Sequence, residues 1–232
     1  MTSGGVTQIG SDSVEVVLVD RRSTSYGSGW WPSAALKLVA AGTDRLVVGP
    51  SGTTAVYRGN GDSVYISPPG NFTILTKTAS GWELKERGDS LAKLVFDSNG
   101  RLFKSLDQNG SRDSVAYSGS TDQVTALVDP LGKTITVSYD ASGKLSTITD
   151  PGSRQTLVSI NAATNQLTYD SVSSSTSRPY TTRYVYQSYP GTNTVVLTRR
   201  IGVIADTTVV IYDSTFKRRP VQAKLPLVQD ET

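Results

Sequence analysis

The stretch VDPLGKTITVSYDASGKLSTITDPGS, residues 128–153, repeats one short phrase within itself. Asp-Pro occurs at Asp129–Pro130 and returns 21 residues later at Asp150–Pro151. Between them lie two runs of alternating polar and apolar residues, separated by the turn-like phrase Asp140–Gly143. Such alternation is typical of half-buried strands, and Asp, Pro and Gly favour tight turns. The stretch therefore predicts a unit of two strands and two turns.

The same unit extends to both sides of this stretch. Five turn phrases begin with Asp and end with Gly: Asp97–Gly100, Asp107–Gly110, Asp129–Gly132, Asp140–Gly143 and Asp150–Gly152. Two further positions recur every 21 or 22 residues: Phe96, Tyr117, Tyr139 and Ile160, and beside them Leu102, Val124, Leu145 and Leu167. A two-strand unit cannot bury its apolar face alone, so successive units must stack. We expect Phe96, Tyr117 and Tyr139 to stack as an aromatic ladder.

Strand signals fill the rest of the chain. Short alternating runs such as SVEVVLVD, FTILTKT, NTVVLT and TTVVIYD are each followed by Gly, Pro, Asn or Asp. About nineteen such runs occur, roughly one per twelve residues, which is typical of all-β proteins. The segment SAALKLVA at 33–40 fits a short helix or a strand equally well. The sequence therefore predicts an all-β fold of stacked antiparallel hairpins that form a winding ribbon.

The composition excludes several kinds of chemistry. The 232 residues include no Cys and no His. Disulfides, zinc sites built on these residues, and Ser-His-Asp or Cys-His catalysis are therefore ruled out. No apolar run approaches the roughly 20 residues of a membrane span, and the first residues lack the features of a signal peptide.

The charge distribution gives no strong indication of a nucleic-acid partner. The net charge is +3, and the basic excess lies in 171–232, around Arg199–Arg200 and Lys217–Arg219. A solvated strand face explains this local excess better than a nucleic-acid site does. No nucleic-acid partner is therefore predicted.

Several of these motifs resemble the RHS repeat, also called the YD repeat after a Tyr-Asp pair such as Tyr139–Asp140. The motifs are FDSNGRL at 96–102, YDASGKLSTITDPGS at 139–153, and the 21-residue rhythm around them. Upstream, YGSGWWPSAALKLV at 26–39 and the stretch 46–100, which begins LVVGPSGTTAVY, are similar to the opening of an RHS array. The resemblance is close over 25–170 and looser over 171–232.

The resemblance implies a large, mostly bacterial, secreted or cell-surface parent protein whose β-ribbon winds into a hollow shell. In bacterial toxins of this family, the shell encloses a C-terminal toxic domain. The expected partner is therefore the rest of a longer RHS protein or an encapsulated domain. The family's self-cleaving segment contains Asp-Pro-x-Gly, which Asp129–Gly132 matches. Because this motif lies inside a regular unit, it is interpreted as a turn.

Three regions are expected within one continuous structural domain. Residues 1–90 would open and cap the array, 91–170 would hold the regular repeats, and 171–232 would hold divergent repeats and a truncated C-terminus. The first unit has no neighbour to cover its apolar edge, so we expect Trp30 or Trp31 to cap the end of the ribbon core.

Trp30, Trp31 and Trp82 are the candidate ligand-binding residues. If exposed and coplanar, they would stack on the apolar faces of sugar rings, which makes a carbohydrate-binding module one alternative function. Buried tryptophans fill a core instead, and this is the more frequent fate of such large side chains.

Carboxylates supply the remaining chemistry. Asp107, Asp129 and Asp150 occupy equivalent turns and could form a row that holds Ca²⁺ or supplies acid–base pairs. Each is expected instead to satisfy its own turn, so no metal site and no cofactor are predicted. A hydrolase using a carboxylate, Lys or Tyr in a cleft is the enzymatic alternative. The leading hypothesis is a structural or interaction module, as part of a shell or an adhesion scaffold.

The last predicted strands favour self-association. TTVVIYD at 207–213 and RRPVQAKL at 218–225 are expected at the end of the ribbon. An unpaired apolar strand is a template for another polypeptide, so the uncharged run Val209–Ile211 favours a two-fold homodimer. The basic and proline residues at Lys217–Pro220 and Pro226 would protect the edge in a monomer.

Overall fold

The fold is all-β, as the sequence predicts. The computed structural model describes residues 19–86, 88, 91–172, 180–188, 195–201, 207–212 and 220–224. Seventeen strands and no helix occur in these ranges. The ambiguous segment at 33–40 is not helical, and its second half enters the first strand. Consequently no helix in the described ranges has the length and apolar character to cross a membrane.

Seven or fewer residues separate consecutive strands, except between β3 and β4, where residues 58–72 intervene. In sequence order they are β1 (Lys37–Ala41), β2 (Asp44–Val48), β3 (Thr54–Tyr57), β4 (Thr73–Thr78), β5 (Gly81–Glu86), β6 (Lys93–Asp97), β7 (Leu102–Leu106), β8 (Arg112–Tyr117), β9 (Val124–Val128), β10 (Thr134–Tyr139), β11 (Leu145–Thr149), β12 (Gln155–Asn161), β13 (Gln166–Val172), β14 (Tyr180–Ser188), β15 (Val195–Ile201), β16 (Thr207–Tyr212) and β17 (Pro220–Lys224). β4 to β17 form one antiparallel sheet in strict sequence order, and β1 to β3 form a second. The long sheet is the predicted ribbon of hairpins.

The second sheet closes a ring with the first strands of the ribbon. β1, β2 and β3 pair in order, and the segment 64–66 bridges Arg58, just after β3, on one side and β4 on the other. β4, β5 and β6 continue the ring, and Lys37 of β1 bridges back to Arg101, just before β7. The strands therefore surround a core.

The core of this ring is apolar and aromatic. Its buried side chains are Leu38, Val47, Tyr57, Tyr65, Leu75, Leu84, Phe96 and Leu102. These residues come from both sides of position 90, so the ring and the first regular repeat share one core. The division into 1–90, 91–170 and 171–232 stays a prediction.

A β-bulge recurs at one position of each two-strand unit from β6 to β17. The pairing register shifts just before Phe96, Tyr117, Tyr139, Ile160, Tyr186 and Tyr212. Their partners are Leu102, Val124, Leu145, Leu167, Leu197 and Pro220. The two recurrent sequence positions therefore face each other at each bulge. A bulge bends its strand and increases the local twist, so the recurring bulges bend successive units at the same position.

The predicted free edge at 207–213 is wrong. β16 pairs with β15 on one side and with β17 on the other, so its backbone is already satisfied. The sequence pattern alone did not reveal that the two last strands pair with each other. A two-fold contact through this strand therefore has no open edge to use. Lys217–Arg219 and Pro226 lie outside the described residues.

Candidate functional site

The turn aspartates serve their own turns, as predicted. Each Oδ1 accepts the backbone N–H groups two and four residues ahead, at 2.8–2.9 Å: Asp97, Asp107, Asp129, Asp140 and Asp150. Asp107, Asp129 and Asp150 lie on one edge of the sheet but two strands apart, roughly 9–10 Å. Within the described ranges, no three acidic side chains come together as a metal site.

Residues 21–36, which we call the strap, lie across the row of bulges. Three backbone N–H groups opposite bulges donate to it: Leu102 to the Leu36 carbonyl at 3.0 Å, Val124 to Tyr26 Oη at 2.8 Å, and Leu145 to the Ser25 carbonyl at 2.8 Å. A bulge disrupts the ladder locally, which leaves a backbone group free for another partner. The strap is therefore held by one amide from each of three successive units.

The strap is fastened at both ends as well. Near β13, Ser28 N–H donates to the Asn165 carbonyl at 2.5 Å, and Asn165 Nδ2 donates to the Thr24 carbonyl at 3.0 Å. Asn165 has a φ of 56°, a left-handed conformation that Asn tolerates. Just beyond the other end of the strap, Leu38 N–H of β1 donates to the Gly100 carbonyl at 2.6 Å. The strap thus spans the sheet from β13 to β7.

Tyr26 is the central contact of the strap. Its side chain is buried, and its hydroxyl donates to the Asp122 carbonyl at 2.8 Å while accepting from Val124 N–H. The Tyr139 hydroxyl lies 3.2 Å from Tyr26 Oη. The Tyr26 ring meets Trp31 edge-on, with centroids 5.7 Å apart. One side chain therefore joins the strap to two repeat units.

The predicted aromatic ladder is wrong as a stack of rings. Each unit adds both its strands to one sheet, so Phe96, Tyr117 and Tyr139 lie two strands apart. The hydroxyls reach back to the preceding unit instead: Tyr117 donates to the Leu102 carbonyl at 2.9 Å, and Tyr139 to the Val124 carbonyl at 2.8 Å. Hydrogen bonds rather than stacked rings link the units.

This network predicts a loss of stability in alkali. Burial raises the pKa of Tyr117, Tyr139 and Tyr26 above the usual value of about 10. Above about pH 10 the unfolded protein loses these protons while the folded protein keeps them, so the folded state binds more protons and its stability falls as pH rises. The free energies of unfolding of the wild type and of Tyr139→Phe, measured in urea, should approach each other as the pH rises from about 8 to about 11. A constant difference across this range would contradict the network.

Polar residues on one sheet edge also couple neighbouring units. Arg101 Nη1 donates to the Gly119 carbonyl in the next turn on that edge, at 2.8 Å. Gln123, the equivalent residue one unit later, donates through Nε2 to the Gly143 carbonyl at 2.9 Å. Lys144, one unit further, donates to the strap at the Thr24 carbonyl. The residues before Leu102, Val124 and Leu145 therefore hold the following turn or the strap.

A polar cavity of about 570 Å³ lies between the strap, β1 and β2. Its walls include Arg21, Tyr26, Lys37 and Asp122. The Lys37 ammonium is paired with the Asp122 carboxylate, and Arg21 donates to the Gly49 carbonyl at 2.5 Å. Burial raises the pKa of Tyr26, which is the opposite of what an activated nucleophile requires. Arg21 fastens the strap to the segment after β2, and the Lys37–Asp122 pair joins β1 to the connection between β8 and β9.

An apolar groove of about 500 Å³ lies on the other side of the strap, over β9 to β14. Trp30 and Trp31 contribute one wall. Trp30 is 42% exposed and meets Tyr184 edge-on at 5.8 Å. Trp31 is half-buried, donates to the Ala35 carbonyl and packs beside Val115 and Val124. It therefore covers the middle of the ribbon, and the expectation that it caps the ribbon end is wrong.

Trp82 belongs to a different part of the molecule. It is half-buried, packs against the ring core and does not line the groove. The Arg45 guanidinium lies 5.5 Å from its ring centroid, and its Nε1 is buried without a hydrogen-bond partner. The three tryptophans therefore do not form one common surface.

The sequence reasoning did not find the strap. Its anchors Ser25, Tyr26 and Leu36 precede the repeats, and their partners lie 66 or more residues away in the sequence. The available signal was the segment YGSGWWP, which is rich in aromatic residues but has no strand alternation. A covering segment rather than a strand is what such a pattern indicates.

The comparisons with known proteins agree with the RHS repeat predicted from the sequence. The RHS Repeat family model matches residues 117–155, which confirms the RHS resemblance in this segment. No curated protein matches this sequence. Among solved structures, the protein is similar to chains of TcdB2-TccC3 without its hypervariable C-terminal region (14% identity, TM-score 0.44) and of TcdB2-TccC3-Cdc42 (14% identity, TM-score 0.45). In both cases the match covers 74% of this protein and 11% of the other.

Proposed function

We propose that this protein is a structural module of a longer, secreted or cell-surface RHS-repeat protein, in which it forms part of a shell wall or adhesion scaffold. The observation that carries the proposal is the strap: three successive repeat units each give it a backbone amide. A segment bound mainly through backbone groups and buried aromatic rings stiffens a sheet and leaves little free chemistry for catalysis.

The short length of the match supports a longer parent protein. The matched region spans 11% of the solved chains it resembles. The ribbon adds strands in sequence order, so further repeats would extend the same sheet. The partner we propose is therefore the rest of the same polypeptide or a domain enclosed by it.

An immunoblot of the source culture tests the proposed context. Antibodies against this protein should detect a polypeptide much longer than 24.8 kDa, in the medium or in a fraction that external protease degrades. A species of only 24.8 kDa confined to the cell interior would contradict both the parent protein and its location.

A substrate panel tests the structural role itself. The purified protein should not turn over chromogenic esters, phosphates or glycosides above the buffer rate. Turnover that disappears in Lys37→Ala would instead establish the hydrolase alternative in the polar cavity.

A second candidate is carbohydrate binding at the groove beside Trp30. The partial exposure of Trp30 supports it, while the mostly apolar walls offer a sugar few hydrogen bonds. Titration with oligosaccharides should change the tryptophan fluorescence of the wild type, and Trp30→Ala should abolish the change while Trp82→Phe keeps it. No change in the wild type would remove this candidate.

A further inference from the structure

Three Asn-Gly pairs occur in the sequence: Asn60–Gly61, Asn99–Gly100 and Asn109–Gly110. Asn-Gly is open to intramolecular attack because Gly places no side chain beside the backbone nitrogen. The Gly nitrogen loses its proton to water and bonds to the carbonyl carbon of the Asn amide. The bond between that carbon and the amide nitrogen breaks, ammonia leaves, and a succinimide ring remains. Water then opens the ring at either carbonyl, which yields Asp or isoaspartate.

Two of the three pairs are protected by the repeat turns. Gly100 N–H donates to the Asp97 carbonyl at 2.9 Å, and Gly110 N–H donates to the Asp107 carbonyl at 3.1 Å. The same aspartates accept the N–H groups of Asn99 and Asn109 through Oδ1. The attacking nitrogen must therefore leave its turn before it can react, and this local opening costs free energy.

The nitrogen of Gly61 has no such restraint. It donates no hydrogen bond to any residue in the described ranges, and both Asn60 and Gly61 are exposed. Gly61 has a φ of +92°, and no atom of another part of the protein lies within 4 Å of the position that a Cβ would take. The backbone here is free to reach the geometry of attack.

The side chain of Asn60 is also held close to its own backbone. Its Oδ1 accepts the Asp62 N–H at 3.0 Å, which draws electron density away from the carbonyl carbon that would be attacked. Its Nδ2 donates to the Asp62 carboxylate at 3.3 Å, which places a proton acceptor beside the leaving group. The first contact keeps the Asn60 amide close to the backbone N–H of the residue that follows Gly61.

We propose that Asn60 is a site of spontaneous modification in the folded protein, where it converts to Asp or isoaspartate while Asn99 and Asn109 keep their amides. The product adds one negative charge to the connection between β3 and the segment 64–66. Isoaspartate also adds a carbon atom to the backbone of this connection.

Peptide mapping by mass spectrometry tests the proposal on the folded protein, incubated at neutral pH and physiological temperature. Conversion should be about tenfold faster at Asn60 than at Asn99 or Asn109, as expected when one turn hydrogen bond must open first. In urea the three rates should converge, because the protection comes from folding. Equal rates in the folded protein, or no conversion at Asn60 while the unfolded protein reacts, would overturn it.

A matched pair of variants locates the charge change independently. Asn60→Gln should prevent the acidic species that ion-exchange chromatography resolves after incubation, because glutamine forms the corresponding ring far more slowly. Asn109→Gln should leave that species unchanged. Persistence of the acidic species in Asn60→Gln would place the reaction elsewhere.

Discussion

Replacing Phe96 with alanine should lower the free energy of unfolding by about 3–5 kcal/mol. Phe96 is 1% exposed and packs in the ring core with side chains such as Leu38 and Leu75. The ring is closed by backbone bridges at 64–66 and at Arg101, so its walls cannot collapse fully into the cavity. Urea denaturation at equal protein concentrations measures the loss.

Phe72 provides the matched control for this truncation. Its side chain is 75% exposed, so Phe72→Ala should change the free energy of unfolding by no more than about 0.5 kcal/mol. Similar losses in the two variants, or a loss below about 1 kcal/mol for Phe96→Ala, would contradict a closed core around Phe96.

Arg101→Ala should cost about 3 kcal/mol, because Arg101 joins two turns from a buried position. The residue is 7% exposed, and its Nε and Nη2 donate to Asp97 Oδ2 at 2.8 and 2.6 Å. Its Nη1 serves the Gly119 and Thr121 carbonyls, and its guanidinium lies 4.5 Å from the Tyr117 ring centroid. Lysine cannot supply this fork of donors, so Arg101→Lys should lose most of the same stability.

Arg154 makes the same local ion pair without the burial. Its Nε donates to Asp150 Oδ2 at 2.6 Å, but the side chain is 75% exposed. Arg154→Ala should therefore change the free energy of unfolding by no more than about 0.5 kcal/mol. If Arg101→Ala and Arg154→Ala lowered the free energy of unfolding by equally small amounts, the coupling of successive turns through Arg101 would be refuted.

The repeat could be predicted because each of its signals acts locally. Asp129 and Gly132 specify a turn through bonds within five residues, and the alternating run before Tyr139 specifies a strand. The spacing of the Tyr and Leu positions then identified the residues that meet at each bulge. The sequence did not show what the tyrosines do at the bulge. A Tyr repeated at this spacing fits stacked rings and hydroxyl hydrogen bonds equally well.

The contacts between the strap and the ribbon could not be predicted, because they join distant parts of the sequence. Nothing near Tyr26 in the sequence indicates that its hydroxyl meets Val124, 98 residues later. The strand β16 was expected to keep a free edge, because no local signal indicates that it pairs with β17. Trp31 was expected at the end of the ribbon, but its position along the ribbon depends on the path of the strap.

Hydrogen exchange at the Val124 amide, in the wild type and in Tyr26→Phe, tests the strap most directly. The account predicts slow exchange at Leu102, Val124 and Leu145 in the wild type, because each amide donates to the strap. Tyr26→Phe should speed exchange at Val124 by about tenfold, the effect of losing one buried hydrogen bond. Leu102 and Leu145 donate to backbone carbonyls and should be unaffected. Unchanged exchange at Val124 in the variant would contradict the claim that the bulge amides hold the strap.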